Sequence, residues 1–313
     1  MLKPYQKSQD GVSDITFYSA TLKAFANLTS EMSPVEIGIL LSEEENPSRE
    51  RGIMKKATEL DSERMYSIRF NLHASTKYYY KSYVLYGGVY RYGIVRSFET
   101  APIPDGLIVD MGLSVKWASC NLCEDYGFVS SPEEYGDYYA WGEIEPYYIS
   151  QDPLIWKDGK SGGYDEGSYS FYAGRSGSYI IITRYNIDSK HGALDDKTTF
   201  SDYDYVDDAA RARLGGKWHI PTDKEWKELQ TQCEWTRTTQ NGAVGELVTA
   251  SNGNSIFLPT AGFRHDTIFD NGDKYWSSTL SNSTDAYAFQ LSIQFTTSDN
   301  YRVCGLPVRP VTE

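Results

Sequence analysis

The sequence predicts a β-rich α+β fold, and three observations support this class. The chain of 313 residues contains 26 tyrosines and 26 glycines, a composition typical of strands separated by tight turns. Runs of alternating polar and apolar residues recur, whereas long helical patterns are few. The clearest helical pattern starts at Thr222, which forms a capping box with Glu225. Trp226, Leu229 and Cys233 follow at helical spacing and give that helix one apolar face.

Residues 1–102 form the first predicted domain. Its strand-like runs are residues 15–22, 35–41, 65–70, 77–86 and 89–99. The last two runs flank Gly87-Gly88 and predict a hairpin. Leu72 and the segment 76–78 resemble the pattern of fibronectin type III domains, with Tyr78 as the candidate tyrosine corner. The resemblance implies a β-sandwich that serves as a spacer.

The segment 103–106 is the predicted linker, because prolines and a glycine follow the end of a strand there. The second domain then spans 107–313. Within it, residues 144–206 form an insertion rich in Tyr, Ser, Gly and Asp. Long loops are usually functional or disordered, and the many aromatic residues favour an ordered lobe over a mobile binding flap. A strand is predicted at 179–183 within this lobe.

Seven blocks of the second domain carry a family resemblance. They are Val109–Asn121, Tyr135–Glu143, Asp207–Ala210, Trp218–Trp226, Ile256–Arg264, Tyr275–Thr279 and Val308–Val311. In this order they resemble the Fibrobacter-type major paralogous domain of bacterial surface proteins, which is related to the formylglycine-generating and sulfatase-modifying group. The resemblance implies a C-type-lectin-like fold with a twisted antiparallel sheet, one or two helices and long connections. The tryptophans and arginines of these blocks are predicted to be internal.

The chain lacks the sequence features of several enzyme classes. The formylglycine-generating chemistry needs a pair of redox cysteines late in the domain, and only Cys304 is present there. The four histidines fall in unrelated contexts, without the spacing of a metal site. We therefore predict no enzymatic activity, with His219 as a structural residue. The enzymatic alternative is a secreted carbohydrate hydrolase that uses acids of the insertion and its edge, namely Glu143, Glu145, Asp165 and Glu166.

No cofactor or metal is predicted. The motifs of calcium-dependent lectins do not occur, since Glu145-Pro146 is followed by Tyr147. The segment 270–273 contains oxygen ligands but is better explained as an Asn-Gly hairpin turn.

Four cysteines are present: Cys120, Cys123, Cys233 and Cys304. The even number permits disulfides in an exported protein, and Cys120–Cys233 would join an early strand to the helix. Free buried thiols are the equal alternative.

The predicted ligand surface is the late hairpin, residues 287–303. In C-type-lectin-like folds this region and its loops commonly bind ligands, so the resemblance implies a site here, extended by the loop 281–285. Residues 287–295 alternate strictly, residues 296–300 predict a polar turn, and residues 301–303 return. The predicted ligand-binding residues are Gln290, Gln294, Ser298, Asn300, Tyr301 and Arg302.

The net charge is −13, which disfavours nucleic acid and anionic membranes as partners. No apolar stretch reaches the roughly 18 residues of a membrane span, and any attachment is expected through a lipid anchor outside this sequence. The sequence thus predicts a non-enzymatic, extracellular or cell-surface adhesion protein that recognises a glycan or a protein. A structural subunit of a surface fibre is the third alternative.

Overall fold

The computed structural model describes residues 11–26, 36–124, 127–290 and 296–313. For residues 286–290 and 296–299 it describes the backbone alone. The chain divides into two compact units, Met1–Pro104 and Asp105–Glu313, and the division falls inside the segment predicted as the linker. Both units are rich in antiparallel strands. Among the described residues, no helix is both long and apolar enough to cross a membrane.

The first unit consists of two antiparallel sheets. Its strands are β1 (Val12–Ser13), β2 (Ser19–Phe25), β3 (Glu36–Ser42), β4 (Ile53–Lys56), β5 (Met65–Asn71), β6 (Lys77–Tyr86), β7 (Val89–Tyr92) and β8 (Arg96–Glu99). One sheet has the order β1-β2-β5, and the other has the order β4-β3-β6-β7 with β8 also paired to β6. The predicted hairpin is present, since Tyr86 pairs with Val89 across Gly87-Gly88.

The core of the first unit follows from strand alternation. In β5, Tyr66, Ile68 and Phe70 are buried while the residues between them are exposed, as expected when one face of a strand packs inward. These side chains pack with residues of β2 and β3 such as Leu22 and Ile39. The Tyr66 hydroxyl donates to Gly38 O at 2.8 Å and so satisfies a polar group at the core.

The second unit contains seventeen strands among its described residues. They are β9 (Ile108–Val109), β10 (Lys116–Ala118), β11 (Leu122–Cys123), β12 (Gly127–Phe128), β13 (Tyr148–Gln151), β14 (Leu154–Trp156), β15 (Tyr172–Ser176), β16 (Tyr179–Ile182), β17 (Glu234–Gln240), β18 (Ala243–Thr249), β19 (Ser255–Pro259), β20 (Phe263–His265), β21 (Ile268–Asp270), β22 (Lys274–Leu280), β23 (Asp285–Gln290), β24 (Thr296–Tyr301) and β25 (Val311–Thr312). Its helices are α1 (Ala209–Leu214) and α2 (Asp223–Gln232), with 3₁₀ turns at Ser189–His191 and Phe200–Tyr203.

Three three-stranded sheets organise the second unit. Their orders are β25-β10-β9, β17-β18-β19 and β22-β23-β24, and the remaining strands form two-stranded hairpins. The first of these sheets brings the two ends of the unit together, because Trp117 pairs with both Val109 and Val311. A core cluster of the second unit includes Trp117, Trp226 and Tyr275, which belong to three of the sequence blocks.

Helix α2 begins as the sequence predicts. The Thr222 hydroxyl accepts from Glu225 N, and the Glu225 side chain accepts from Thr222 N, so the capping box satisfies two donors that the first turn leaves free. Trp226 and Leu229 are fully buried, and Cys233, which is the C-cap, packs against the same core cluster.

Two predicted turns differ from the structure. Asn271-Gly272 does not close a hairpin; β20 pairs with β21 instead, and their turn lies at 266–267. Residues 296–300 are not a polar turn but belong to β24, which pairs with β23 from Gln290↔Thr296 to Asp285↔Tyr301. Polar residues can occupy a strand when ladder hydrogen bonds satisfy their backbone, so composition alone was a poor guide here.

The insertion at 144–206 is an ordered lobe. It contains the hairpins β13–β14 and β15–β16. Its buried aromatic residues are Tyr147, Tyr148, Tyr164, Tyr169, Phe171, Tyr185 and Phe200. The tyrosine hydroxyls find partners within the unit; for example, Tyr169 donates to Trp141 O at 2.7 Å. The lobe is therefore a packed part of the second unit.

Candidate functional site

The late hairpin presents part of the predicted ligand surface. Tyr301 at the end of β24 is 62% exposed. Nδ2 of the neighbouring Asn300 is buried and has no hydrogen-bond partner among the described residues. Gln290 and Ser298 lie in β23 and β24, where only the backbone is described, and Gln294 lies outside the described residues.

Arg302 is not a surface residue, contrary to its predicted role. It is 1% exposed. Its guanidinium donates to the Tyr169 hydroxyl at 3.1 Å and to carbonyl oxygens of Arg184, Tyr185 and Ser283 at 3.0 to 3.3 Å. It also lies 4.7 Å from the Trp141 ring centroid. These contacts join β24 to the insertion lobe, so Arg302 is an internal cross-link.

The predicted loop 281–285 is held by the same lobe. Ser283 is 2% exposed, and its hydroxyl accepts from Ile187 N and Asp188 N at 3.1 and 3.0 Å. Asn282 closes the loop by accepting from Asp285 N at 3.0 Å. The inward orientation of Ser283 removes part of this loop from the exposed surface.

A separate open cleft in the second unit is the candidate site. Its volume is about 700 Å³, within the range of roughly 300–1,000 Å³ typical of small-molecule sites. Four parts of the chain form it: Cys123, residues 129–137, Gln151 at the end of β13, and the turn between β17 and β18. The residues that line it are Cys123, Val129, Ser131, Glu133, Glu134, Tyr135, Gly136, Asp137, Gln151, Asn241, Gly242 and Ala243.

Asp137 is the most constrained acid of the cleft. Its Oδ1 accepts from the Tyr148 hydroxyl at 2.9 Å and from Gln151 Nε2 at 3.0 Å. Its Oδ2 accepts from Glu124 N at 2.7 Å. The Gln151 side chain is itself held by Arg264, because Nη2 of this buried arginine donates to Gln151 Oε1 at 3.4 Å. These contacts fix the carboxylate and the amide in one arrangement.

The other two acids are each held by one neutral donor. Glu133 Oε1 accepts from Asn241 Nδ2 at 2.9 Å, and Glu134 Oε1 accepts from the Ser130 hydroxyl. In the described parts of the chain, no lysine or arginine lies within ion-pair distance of Glu133, Glu134 or Asp137. The cleft therefore combines negative charge with acceptor atoms that remain open to a ligand.

Two backbone features position the cleft residues. Gly136 has φ +74°, and a Cβ there would lie 2.5 Å from Leu122 O, so the backbone approaches β11 more closely than other residues permit. Asn241 and Gly242 both have positive φ and join β17 to β18 in a two-residue hairpin, as Asn-Gly turns commonly do. Tyr135, next to Gly136 in the chain, lines the cleft and is 40% exposed.

The acids of the insertion and its edge contact neighbouring residues of the same region. Glu143 accepts from the Tyr147 hydroxyl at 2.7 Å and pairs with Lys160 at 3.3 Å. The Glu166 carboxylate pairs with Arg175 at 2.6 Å. Glu145 pairs with Lys157 at 3.3 Å, and Asp165 accepts from Ser168 N at 2.8 Å. Each of these four acids therefore has a structural partner close to it in the chain.

The four cysteines are all free thiols. Burial raises the pKa of Cys304 to about 12 and also raises the pKa of Cys120, so the nucleophilic thiolate form is disfavoured in both. The Cys120–Cys233 disulfide is not formed in the structure. Among the described residues, no group of three or more His, Cys, Asp or Glu side chains could hold a metal ion.

A buried acid–base pair stabilises the start of α2. Nε2 of His219 lies 3.2 Å from Oε1 of Glu225. Burial opposes the charged form of His219, but the hydrogen bond and charge of Glu225 raise its pKa above the ordinary value of 6.5. Burial also opposes the charged form of Glu225, yet the contacts with His219 and Thr222 hold its pKa below 4.5.

We expect Glu225→Gln to lower the free energy of unfolding by about 1–2 kcal/mol at intermediate pH. The contribution of His219 is fully present below 6.5 and is lost as pH rises through its folded-state pKa. The contribution of Glu225 is present above 4.5 and is lost as pH falls through its folded-state pKa. Glutamine can keep the hydrogen bonds of the capping box but carries no charge. The free energy of unfolding, measured with urea at several pH values, therefore reports the contribution of the Glu225 charge. A wild-type-to-variant difference that is flat with pH would contradict the pairing.

The cleft was not predicted from the sequence. Glu133 and Glu134 lie in a polar stretch just before the block Tyr135–Glu143, and Asn241 lies more than a hundred residues further along the chain. The dipeptide Asn241-Gly242 is a hairpin signal that could have located the β17–β18 turn. Nothing local indicates that this turn meets the segment before β13.

Comparisons with known proteins do not assign a function to this chain. No family model matches the chain, and no curated protein matches it. Among solved structures, the chain is similar to the sensor domain of the anti-sigma factor RsgI4 from Pseudobacteroides cellulosolvens. The identity is 21% and the TM-score is 0.26, over 33% of this chain and 100% of that chain.

Proposed function

We propose that this protein is a non-enzymatic recognition protein, exported to the cell surface or secreted, that binds a glycan or a protein through its second unit. The observation that carries the proposal is the open cleft, which is lined by positioned polar groups and by the exposed Tyr135. Sites of this kind use a few positioned polar groups for orientation and an aromatic surface for contact.

In this proposal the first unit is a fibronectin type III-like spacer. Two sheets with the orders β1-β2-β5 and β4-β3-β6-β7 suit a seven-stranded sandwich in which β7 and β8 together form the last strand. The Tyr78 hydroxyl accepts from His73 N at 2.9 Å. That bond to the backbone a few residues upstream is the contact of a tyrosine corner.

The second unit is proposed to be C-type-lectin-like. The sequence blocks converge in its interior: Arg309 is fully buried and donates to carbonyl oxygens of Ala118, Ser119 and Phe257 at 2.7 to 3.1 Å. Trp276 Nε1 donates to Tyr139 O at 2.6 Å. Each contact joins two different blocks, so the blocks behave as parts of one packed domain.

Carbohydrate hydrolysis is the alternative that a specific observation favours. The cleft holds three carboxylic acids, and glycosidases act through a pair of them. However, all three already accept hydrogen bonds from neutral donors, which suits fixed acceptors more than a general acid that must carry and release a proton.

A glycan array probed with the full chain tests the binding proposal. We expect saturable binding to a restricted set of glycans, with a dissociation constant unchanged by a chelator. The bound glycan, incubated with the protein, is expected to release no new reducing ends. Release of reducing ends would establish the hydrolase instead, and a blank array would withdraw the glycan ligand in favour of a protein partner.

A further inference from the structure

The charge and the hydrogen-bonding groups of the cleft indicate which kind of glycan or protein group it can bind. Its acids are Glu133, Glu134 and Asp137, without a cationic partner in the described parts of the chain. A concave surface with one sign of charge repels ligands of the same sign. Sialylated glycans, uronic acids and phosphorylated groups are therefore disfavoured, whatever their shape.

The same groups are also poorly suited to a lysine or arginine side chain as the ligand. The Asp137 carboxylate accepts three hydrogen bonds, and Glu133 is engaged by Asn241. A lysine or arginine side chain offers donors only, so it would leave the amide hydrogens and hydroxyl donors of the cleft unused. Asn241 and Ser131 supply such donors beside the acids.

Sugar hydroxyls match this mixture of donors and acceptors. Each hydroxyl donates one hydrogen bond and accepts others, so adjacent hydroxyls can pair with a carboxylate and an amide at once. Asn241 donates one of its two amide hydrogens to Glu133 at 2.9 Å. Gln151 donates to Asp137 and to Gly136 O at 3.0 Å each, so it holds the Asp137 carboxylate in place as an acceptor for a sugar hydroxyl. The exposed ring of Tyr135 at the same cleft adds an amphipathic surface for the apolar face of a sugar ring.

We propose that the cleft binds an uncharged saccharide, with Tyr135 against the sugar ring and Glu133 as a hydroxyl acceptor. This inference rests on the proposed function and assigns its site and ligand class. Because the polar groups hold one another in place before any ligand arrives, binding orders few side chains, which limits its entropic cost.

The test uses the full chain, oligosaccharide probes and isothermal titration. The probes are neutral oligosaccharides (cello-, manno- and galacto-oligosaccharides), acidic ones (oligogalacturonate and sialyllactose) and a lysine-rich peptide. We expect saturable binding of at least one neutral probe and none of the acidic probes or the peptide. Tyr135→Ala is expected to weaken that binding at least about 10-fold, and Glu133→Gln to weaken it several-fold.

A matched control is Tyr179→Ala. Tyr179 is 43% exposed against 40% for Tyr135, and it does not line the cleft, so its removal should leave affinity unchanged. Tryptophan fluorescence confirms that each variant is folded. If Tyr135→Ala were to unfold the protein, Glu133→Gln alone, which keeps the side-chain shape, would still decide the site.

The outcomes separate the two proposals. Neutral-saccharide binding that survives both cleft variants and is lost in Tyr301→Ala would overturn the cleft assignment but leave the recognition function, now at the late hairpin. Binding of only acidic probes or only the peptide would overturn the ligand class. A chain that binds none of the probes, together with a blank glycan array, would remove the glycan proposal and this inference with it.

Discussion

Replacing Arg302 with alanine is expected to lower the free energy of unfolding of the second unit by about 4 kcal/mol. The side chain is fully buried and donates to three carbonyl oxygens and one tyrosine hydroxyl. Its removal leaves those acceptors without a donor in a region closed to water, and each such group is costly. It also leaves a cavity beside the ring of Trp141.

Urea unfolding followed by tryptophan fluorescence measures this effect in the second unit alone. All seven tryptophans of the chain lie after residue 105, so the signal is independent of the first unit. A loss of about 4 kcal/mol corresponds to a fall in melting temperature of roughly 8–16 °C for a unit of this size.

The neighbouring Tyr301 is the control. Because its side chain is 62% exposed, Tyr301→Ala is expected to change the free energy of unfolding by no more than about 0.5 kcal/mol. Arg302→Ala with an equally small effect would show that the guanidinium is not the cross-link described. The pair also separates two reasons for losing ligand: any loss in Arg302→Ala should follow unfolding, while a loss in Tyr301→Ala should not.

Trp226→Ala is the second substitution with a large expected effect, again about 4 kcal/mol. The Trp226 ring is fully buried, with its centroid 4.7 Å from that of Trp117 and 5.9 Å from that of Tyr275. Its Nε1 donates to Trp276 O at 3.1 Å. The alanine variant loses this burial and bond and leaves a cavity between α2 and the sheet residues.

Two further variants make this prediction sharper. Trp226→Phe retains much of the ring burial but not the hydrogen bond, and we expect a loss of about 2 kcal/mol. Lys224 is at an exposed position of the same helix. Lys224→Ala should change the free energy of unfolding by no more than about 0.5 kcal/mol. The assignment of Trp226 to the core would be wrong if Trp226→Ala lowered the free energy of unfolding by less than Trp226→Phe does.

Local patterns determined much of the secondary structure. The tyrosine-rich run 77–86 and its Gly-Gly turn form β6 and the hairpin with β7, because alternation and turn residues act within one segment. The capping box at Thr222 and Glu225 likewise sets the start of α2. These features need no distant partner, so they can be read from neighbouring residues alone.

Elements with weak local patterns were missed. The polar run 234–240 does not stand out as a strand, yet it forms β17 because β18 satisfies its backbone along its whole length. Helix α1 (Ala209–Leu214) is six residues long, which is marginal without tertiary packing. Its N-cap is Asp208, whose other carboxylate oxygen accepts from Ile220 N at 2.9 Å.

The sequence by itself therefore determined the β-rich class, the boundary near 103–106 and the residues of α2 that face inward. Only the tertiary structure decided which polar residues are available to a ligand. Arg302 follows an exposed tyrosine and looks like a surface residue, but the insertion lobe encloses it. The cleft arises where Tyr135, Gln151 and Asn241 meet. Exposure depends on contacts between segments distant along the chain, and no local pattern encodes those contacts.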